Sequence, residues 1–244
     1  MELTVLILTP LPLEYAAVIK QVDGNLQSVV KDGTAYSMGF FQGKHYRFNL
    51  VVCEPGMKNI DMALAVEKAI IGFNPHIALL IGIAAGVKDV NIGDVLIAKK
   101  AYSYDSGKED QDRFMARPAA ESFSPDLLAY AQIVSRNNNW KYRIDHDASD
   151  ARVLFGPIAA GDKVVASTAN PTYQRIKQYY NDTLGLEMEA FGFATAIQKH
   201  RHIHGLVIRG ISDLCEGKAE ADSQGYQLSA AERSAAFAFE VLSE

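Results

Sequence analysis

Leu3-Thr4-Val5-Leu6-Ile7-Leu8-Thr9-Pro10-Leu11-Pro12-Leu13-Glu14 is the stretch from which the fold is read. Leu3 to Leu8 is an apolar run rich in branched side chains. Such a run reads as a strand buried on both faces, which belongs in a parallel or mixed sheet covered by helices. Pro10 and Pro12 stop the strand and hand the chain to a helix over about residues 13–21, since proline is tolerated in a first helical turn. Glu14 therefore falls in the first turn of a helix at the carboxyl end of a central strand, where ligands of open α/β sheets gather. Taken alone, an acid in that turn is ordinary, because it suits the helix macrodipole.

Outward from this unit the pattern repeats. Tyr36–Phe41 and His45–Val52 flank Gln42-Gly43-Lys44 and read as a hairpin. Cys53-Glu54-Pro55-Gly56-Met57-Lys58-Asn59 is a turn opening a helix over about 60–72. His76–Ile81 is a second buried strand, and Gly82-Ile83-Ala84-Ala85-Gly86 at its end admits a close backbone or a flat ligand. Gly93–Ala98 returns as a strand. Residues 101–124 lose periodicity and read as a long surface loop of the kind used as a lid or interface. A helix over 125–137, strands at 153–158 and 163–166, and a helix over 171–180 follow. Gly205–Asp213 is a further buried strand, ending in Ser212 and Asp213. Ala230–Leu242 reads as an amphipathic helix with Phe237 and Val241 on its buried side.

The bulk numbers bound the class. The chain has 244 residues, 48% hydrophobic and 22% charged, enough for a substantial core. No internal repeat or Gly/Ser/Pro-rich linker divides it, so one domain over 1–244 is expected. The net charge of -5 and the lack of a basic stripe argue against a nucleic-acid partner. Two cysteines, Cys53 and Cys215, stand far apart with no C-x-x-C pair. That disfavours a zinc site or disulfide framework and fits a reducing compartment. Leu3–Leu8 is too short for the core of a signal peptide, and no run approaches a membrane span. The expected setting is the cytoplasm, with no membrane partner.

Leu186-Glu187-Met188-Glu189-Ala190-Phe191-Gly192 places two carboxylates around a methionine. Leu186, Ala190, Phe193 and Ile197 follow at helical spacing, so a buried helix face is expected to begin at Leu186. Acids beside such a face are solvated, paired, or hydrogen-bonded to a ligand; an acidic first helical turn is the plain alternative. Glu14, Glu189 and Asp213 all fall at exits of buried strands, which suggests one crevice lined by carboxylates. The histidines show no metal-ligand spacing: His76, His146 and His200 are scattered, and His202 and His204 read as surface residues.

These segments resemble the nucleoside phosphorylase and nucleosidase superfamily, in particular its methylthioadenosine/S-adenosylhomocysteine nucleosidase branch. The carriers are Leu6 to Glu14, Gly82-Ile83-Ala84-Ala85-Gly86 with Ile92-Gly93-Asp94-Val95, Glu187-Met188-Glu189-Ala190, and Ile208-Arg209-Gly210-Ile211-Ser212-Asp213. Tyr104-Asp105-Ser106-Gly107-Lys108 and the Arg209–Asp213 segment look closest to effector domains of bacterial signalling and defence proteins, some of which hydrolyse ATP to adenine and ribose triphosphate. The resemblance implies an α/β fold: three layers, α/β/α, around a mixed, partly barrel-like sheet. It implies hydrolysis of a purine N-glycosidic bond, through an oxocarbenium-like ribosyl. By resemblance Asp213 protonates the leaving base, oriented by Ser212. Glu14 activates water. Glu189 accepts from the ribose hydroxyls, with Glu187 and Met188 beside it. Val164 and Val165 meet the purine edge, and Ile83 and Ala84 line the glycine-rich strand end. No metal and no organic cofactor is implied, and a homodimer or larger homo-oligomer is expected, with 101–124 the candidate contact.

Two departures bear on this. Ile83 stands where the nucleosidases usually carry serine. Pro10-Leu11-Pro12 replaces an acidic run, and no arginine follows Glu14 closely, which favours water over the phosphate used by phosphorylases. A phosphorylase and a catalytically silent nucleotide-binding module remain the alternatives. Ser223-Gln224-Gly225-Tyr226-Gln227 is more polar than a thioalkyl pocket requires. Lys108, Arg113 and Lys218 lie in segments within reach of a 5′-phosphate, though as loop cations they read first as solvated surface.

Overall fold

The computed structural model describes residues 2–111, 113–146, 148–216 and 224–244. The first strand, β1 (Leu3–Leu8), pairs in parallel with β4 (Arg47–Cys53) on one side and β5 (Ile77–Gly86) on the other. Val5 to Leu8 are fully buried, as the unbroken apolar run requires. Beyond β4 the sheet continues through β3 (Thr34–Gln42) to β2 (Asp23–Lys31), both antiparallel. The hairpin is thus where the sequence places it. β2 was not anticipated, because as an edge strand it buries no side chain fully and carries no apolar signal.

On the other side, β5 pairs with β12 (His204–Asp213), and β12 with β6 (Val95–Ser103). β6 pairs with β10 (Val153–Ala160), and β10 with β11 (Gly185–Glu187). β11 then pairs antiparallel with the end of β5, at Ala85 and Gly86. The five strands close a ring, which is the barrel-like part of the mixed sheet. Helices cover both faces. Gly205 of β12 abuts Ile197 of α5 (Ala190–Gln198), while Gly210 abuts Ala230 of α6 (Tyr226–Ser243). The two glycines are an odd number of residues apart, so they point to opposite faces. α1 (Pro12–Ile19) and α3 (Pro125–Asn137) pack with α6, and α2 (Asn59–Phe73) packs with α5, giving the three layers.

Several local expectations change. β5 runs unbroken through Gly86 rather than ending at Ile81. Residues 101–124 are not an irregular loop. β6 extends to Ser103, β9 (Ala119–Ser122) pairs back on it, and β7 (Gly107–Glu109) with β8 (Phe114–Ala116) forms a small hairpin between them. Strands of three or four residues are too short to show a period. Residues 163–166 are not a strand, because β10 takes β11 as its neighbour and leaves them no ladder. Leu186 lies on β11, and the helix starts only at Ala190. α6 is buried on nearly all sides from Ala230 to Ser243, Arg233 and Glu240 included, because the sheet, α1, α3 and the 3-10 turn Asn139–Arg143 enclose it. The helix α4 (Pro171–Tyr179) forms as expected.

A β-carbon at Gly210 would lie 2.0 Å from the backbone oxygen of Ala230. Neither β12 nor α6 can retreat, since both sit in the core. Gly210→Ala is therefore expected to destabilise the protein by about 3 kcal/mol, read as a lower denaturant midpoint with unchanged slope.

Candidate active site

The edge of β5 is shared. β1 occupies it through Leu80, and β11 only from Ala85 onward. No described strand pairs with that edge between Ile81 and Ala84, so its backbone groups need other partners. One is a side chain: the Ile83 N–H donates to Glu14 Oε1 at 2.7 Å. Glu14 Oε2 accepts from Leu11 N–H at 2.8 Å, closing the first turn of α1. Gly82 makes the approach possible, because a β-carbon there would lie 2.2 Å from Glu14 Oε1 and 2.3 Å from Arg209 Nη1.

Arg209, in the middle of β12, is fully buried. Its Nη2 donates to Glu187 Oε2 at 2.5 Å and Glu189 Oε2 at 3.1 Å, and its Nη1 stands 3.7 Å from Glu14 Oε1. Burial works against its charge, but Glu187, Glu189 and Glu14 outweigh this and hold the guanidinium above its ordinary pKa. One cation thus faces three carboxylates. Burial pushes Glu14 up to about 7, with Arg209 and the two backbone donors pulling the other way. Burial, with the charge of Glu187 next, pushes Glu189 up to about 8. Glu189 precedes the first residue of α5 and also accepts from Lys58 N–H at 3.1 Å. Glu187 accepts from the N–H groups of Glu189 and Ala190, so it caps α5 while pairing with Arg209.

Asp213 ends β12. Ser212 Oγ donates to its Oδ2 at 3.0 Å, and Cys215 N–H donates to its Oδ1 at 2.9 Å. Cys215 takes a left-handed φ of 59° to turn that N–H back. Both carboxylate oxygens are therefore fixed in direction.

The ten residues singled out from the sequence line one crevice: Glu14, Ile83, Ala84, Val164, Val165, Glu187, Met188, Glu189, Ser212 and Asp213. Pro10, Leu11, Met57, Ala85, Lys163, Leu186 and Gln227 complete it. Lys108 and Arg113 are not among the lining residues. The β7–β8 hairpin that carries Lys108 leans on α4 through Phe114 with Tyr179 and Glu109 with Arg175. Lys218 lies outside the described residues. The cation at the crevice is Lys163, 3.7 Å from Asp105. Arg209 was quoted only as part of a motif, yet it organises the acids. Its signal was an arginine inside an otherwise apolar strand, since a buried charge must be paired. Among the described residues no His/Cys/Asp/Glu cluster could hold a metal ion.

Glu14 and Glu189 bind protons more tightly in the folded chain than their ordinary value of 4.5 allows. Their contribution to stability is complete below that value and is lost as pH rises through about 7 and about 8. Glu14→Gln is expected to remove a few kcal/mol of this decline, so denaturation of the variant is less pH-dependent than wild type between pH ~5 and ~8. Parallel curves for the two proteins would refute the assignment.

The same arrangement of strands is found in known proteins. The structure of Streptococcus pneumoniae MTA/SAH nucleosidase in complex with 8-aminoadenine superposes with a TM-score of 0.79 over 99% of both chains at 24% identity. A futalosine hydrolase mutant of Helicobacter pylori gives 0.80 over 98% of both at 19% identity. In sequence, 5′-methylthioadenosine/S-adenosylhomocysteine nucleosidase of Staphylococcus haemolyticus is 24% identical, covering 80% of this chain and 82% of that protein. ATP nucleosidase Cap17 of Escherichia coli is 26% identical over 86% of this chain, which spans 46% of Cap17's length. The profile of the Phosphorylase superfamily matches residues 4–243, and with it the closed ring of strands has its explanation: this chain belongs to the phosphorylase superfamily.

Proposed function

We propose that the protein, acting as one domain over 1–244, hydrolyses the N-glycosidic bond of a purine nucleoside or nucleotide and releases the base, adenine by preference. The observation that carries this reading is the convergence of Glu14, Glu189 and Asp213 in one crevice, with the first two set against a single buried guanidinium. Relatives described as nucleosidases support it. Asp213 gives a proton to N7 of the leaving base as the C–N bond breaks. The anomeric carbon becomes cationic, and the excess of carboxylate over guanidinium charge favours that state. Glu14 takes a proton from the attacking water. Glu189 accepts from the ribose hydroxyls, and Met188 covers the sugar. Val164 and Val165 border the base.

Water is the nucleophile in this reading. Among the described residues, four carboxylates line the crevice, Glu14, Glu187, Glu189 and Asp213, against one lysine, Lys163. A phosphate dianion held among them is repelled. No metal or organic cofactor enters the mechanism. The test is release of free base, followed by chromatography, from ATP, AMP, adenosine, inosine, methylthioadenosine and S-adenosylhomocysteine, with and without phosphate. Adenine without phosphate is the expected result, and Asp213→Asn is expected to lower the rate by about a thousandfold or more with the fold intact. Base release only with phosphate would make the protein a phosphorylase. Saturable binding with no release would make it a silent module.

Two further elements belong to the proposal. The cytoplasm is the expected setting, in keeping with two buried cysteines far apart in the chain and no C-x-x-C pair. Among the described residues no helix is long and apolar enough to cross a membrane. The working form is a homodimer packed along α2. Met57, Ile60, Leu64 and Ile71 lie on one side of this helix and its entry, and they are 47–82% exposed. Met57 also lines the crevice, so this contact brings the partner copy to the site. The stripe is preferred over the 101–124 segment, whose strands are satisfied within the chain. Light scattering is expected to show a dimer for wild type and a monomer for Leu64→Glu.

A further inference from the structure

The turn before α2 touches three parts of the site. Lys58 N–H donates to Glu189. The Asn59 side chain uses both ends of its amide: Oδ1 accepts from Gly192 N–H in the first turn of α5 at 2.8 Å, and Nδ2 donates to Asp162 Oδ1 at 3.2 Å. The backbone N–H of Asn59 donates to the same Asp162 oxygen at 3.2 Å. Asp162 directly precedes Lys163, Val164 and Val165, the wall assigned to the base. Gly192 carries Glu189 three residues before it and lies so close that a β-carbon would be 2.0 Å from the Asn59 carbonyl oxygen. Lys58 is held at φ 90°, a conformation that a side chain disfavours. A turn fixed on both sides sustains that strain.

We propose that Asn59 is a positioning residue that sets the ribose-side carboxylate Glu189 against the base-side wall at Val164 and Val165. This deepens the nucleosidase reading and rests on it. The chemistry of the position is restrictive. One group must accept from an N–H while its neighbour donates to a carboxylate, and a primary amide does both in a plane. Aspartate has nearly the same shape but turns the donor into an acceptor facing Asp162. It also adds negative charge against Asp162, so N59D loosens the clasp without removing bulk. Base and sugar must be held together for the bond between them to break, so a shift of either wall shows in turnover as well as in binding.

The experiment compares adenosine or ATP, whichever wild type turns over, with its 3′-deoxy counterpart. The measurements are kcat and KM for wild type, N59A and N59D. Thermal melts check folding, and N59D serves if N59A does not fold. If Asn59 acts through Glu189, the variant loses about 30-fold in kcat/KM on the ribo-substrate. On the 3′-deoxy substrate the loss is several-fold smaller, because one of the two hydroxyl contacts being positioned is already missing. Equal losses on both substrates, or none, would overturn the proposal while leaving the nucleosidase reading in place. A wild type that releases base from no purine compound would overturn that reading and this proposal with it.

Discussion

The site depends on one buried charge. Arg209 is fully enclosed in β12, where an unpaired guanidinium would be intolerable. Its carboxylate partners come from three places: the first helix, the strand β11, and the residue that opens α5. Each partner is drawn inward by the cation and then held by backbone donors of its own. Burial first, and for Glu189 the neighbouring Glu187 next, raises the proton affinities of Glu14 and Glu189 against the pull of Arg209. In the proposed reaction these carboxylates face the developing ribosyl cation.

The second constraint is the edge of β5. A strand cannot leave its edge unpaired inside a protein without another donor or acceptor in place. Here β1 leaves at Leu80 and β11 arrives at Ala85, and the side chain of Glu14 occupies the interval. The closing of the ring by β11 therefore creates the crevice. It also brings Glu187, the last residue of β11, and Met188 and Glu189 after it into the same crevice as Asp213 at the end of β12. Small residues permit this: Gly82 under Glu14 and Arg209, and Gly192 under Asn59.

Much of this was legible in the residues. The two-face burial of β1, the helix after Pro12, the α/β alternation and the three acids at strand exits followed from local patterns that cannot be satisfied in other ways. The ten candidate residues, most of them named through the resemblance, line one crevice. What was misread were short elements and edges. β2, β7, β8 and β9 are strands by virtue of their partners, and three or four residues carry no measurable period. The stretch 163–166 has the composition of a strand but no neighbour to pair with. Leu186 keeps helical spacing with Ala190 only by coincidence, and belongs to β11.

The sequence by itself determined the class of fold, the existence of acids at strand exits and, through the resemblance, the chemistry expected of them. Those follow from periodicity, proline and glycine placement, and the intolerance of apolar runs for water. Only the tertiary structure decided that Arg209 joins three of the acids, that Asn59 ties two walls of the site together, and that Lys163 rather than Lys108 or Arg113 lines it. Pairing between residues far apart in the chain depends on which strand edges meet, and that is settled by closure of the sheet, a property that no local stretch of sequence contains.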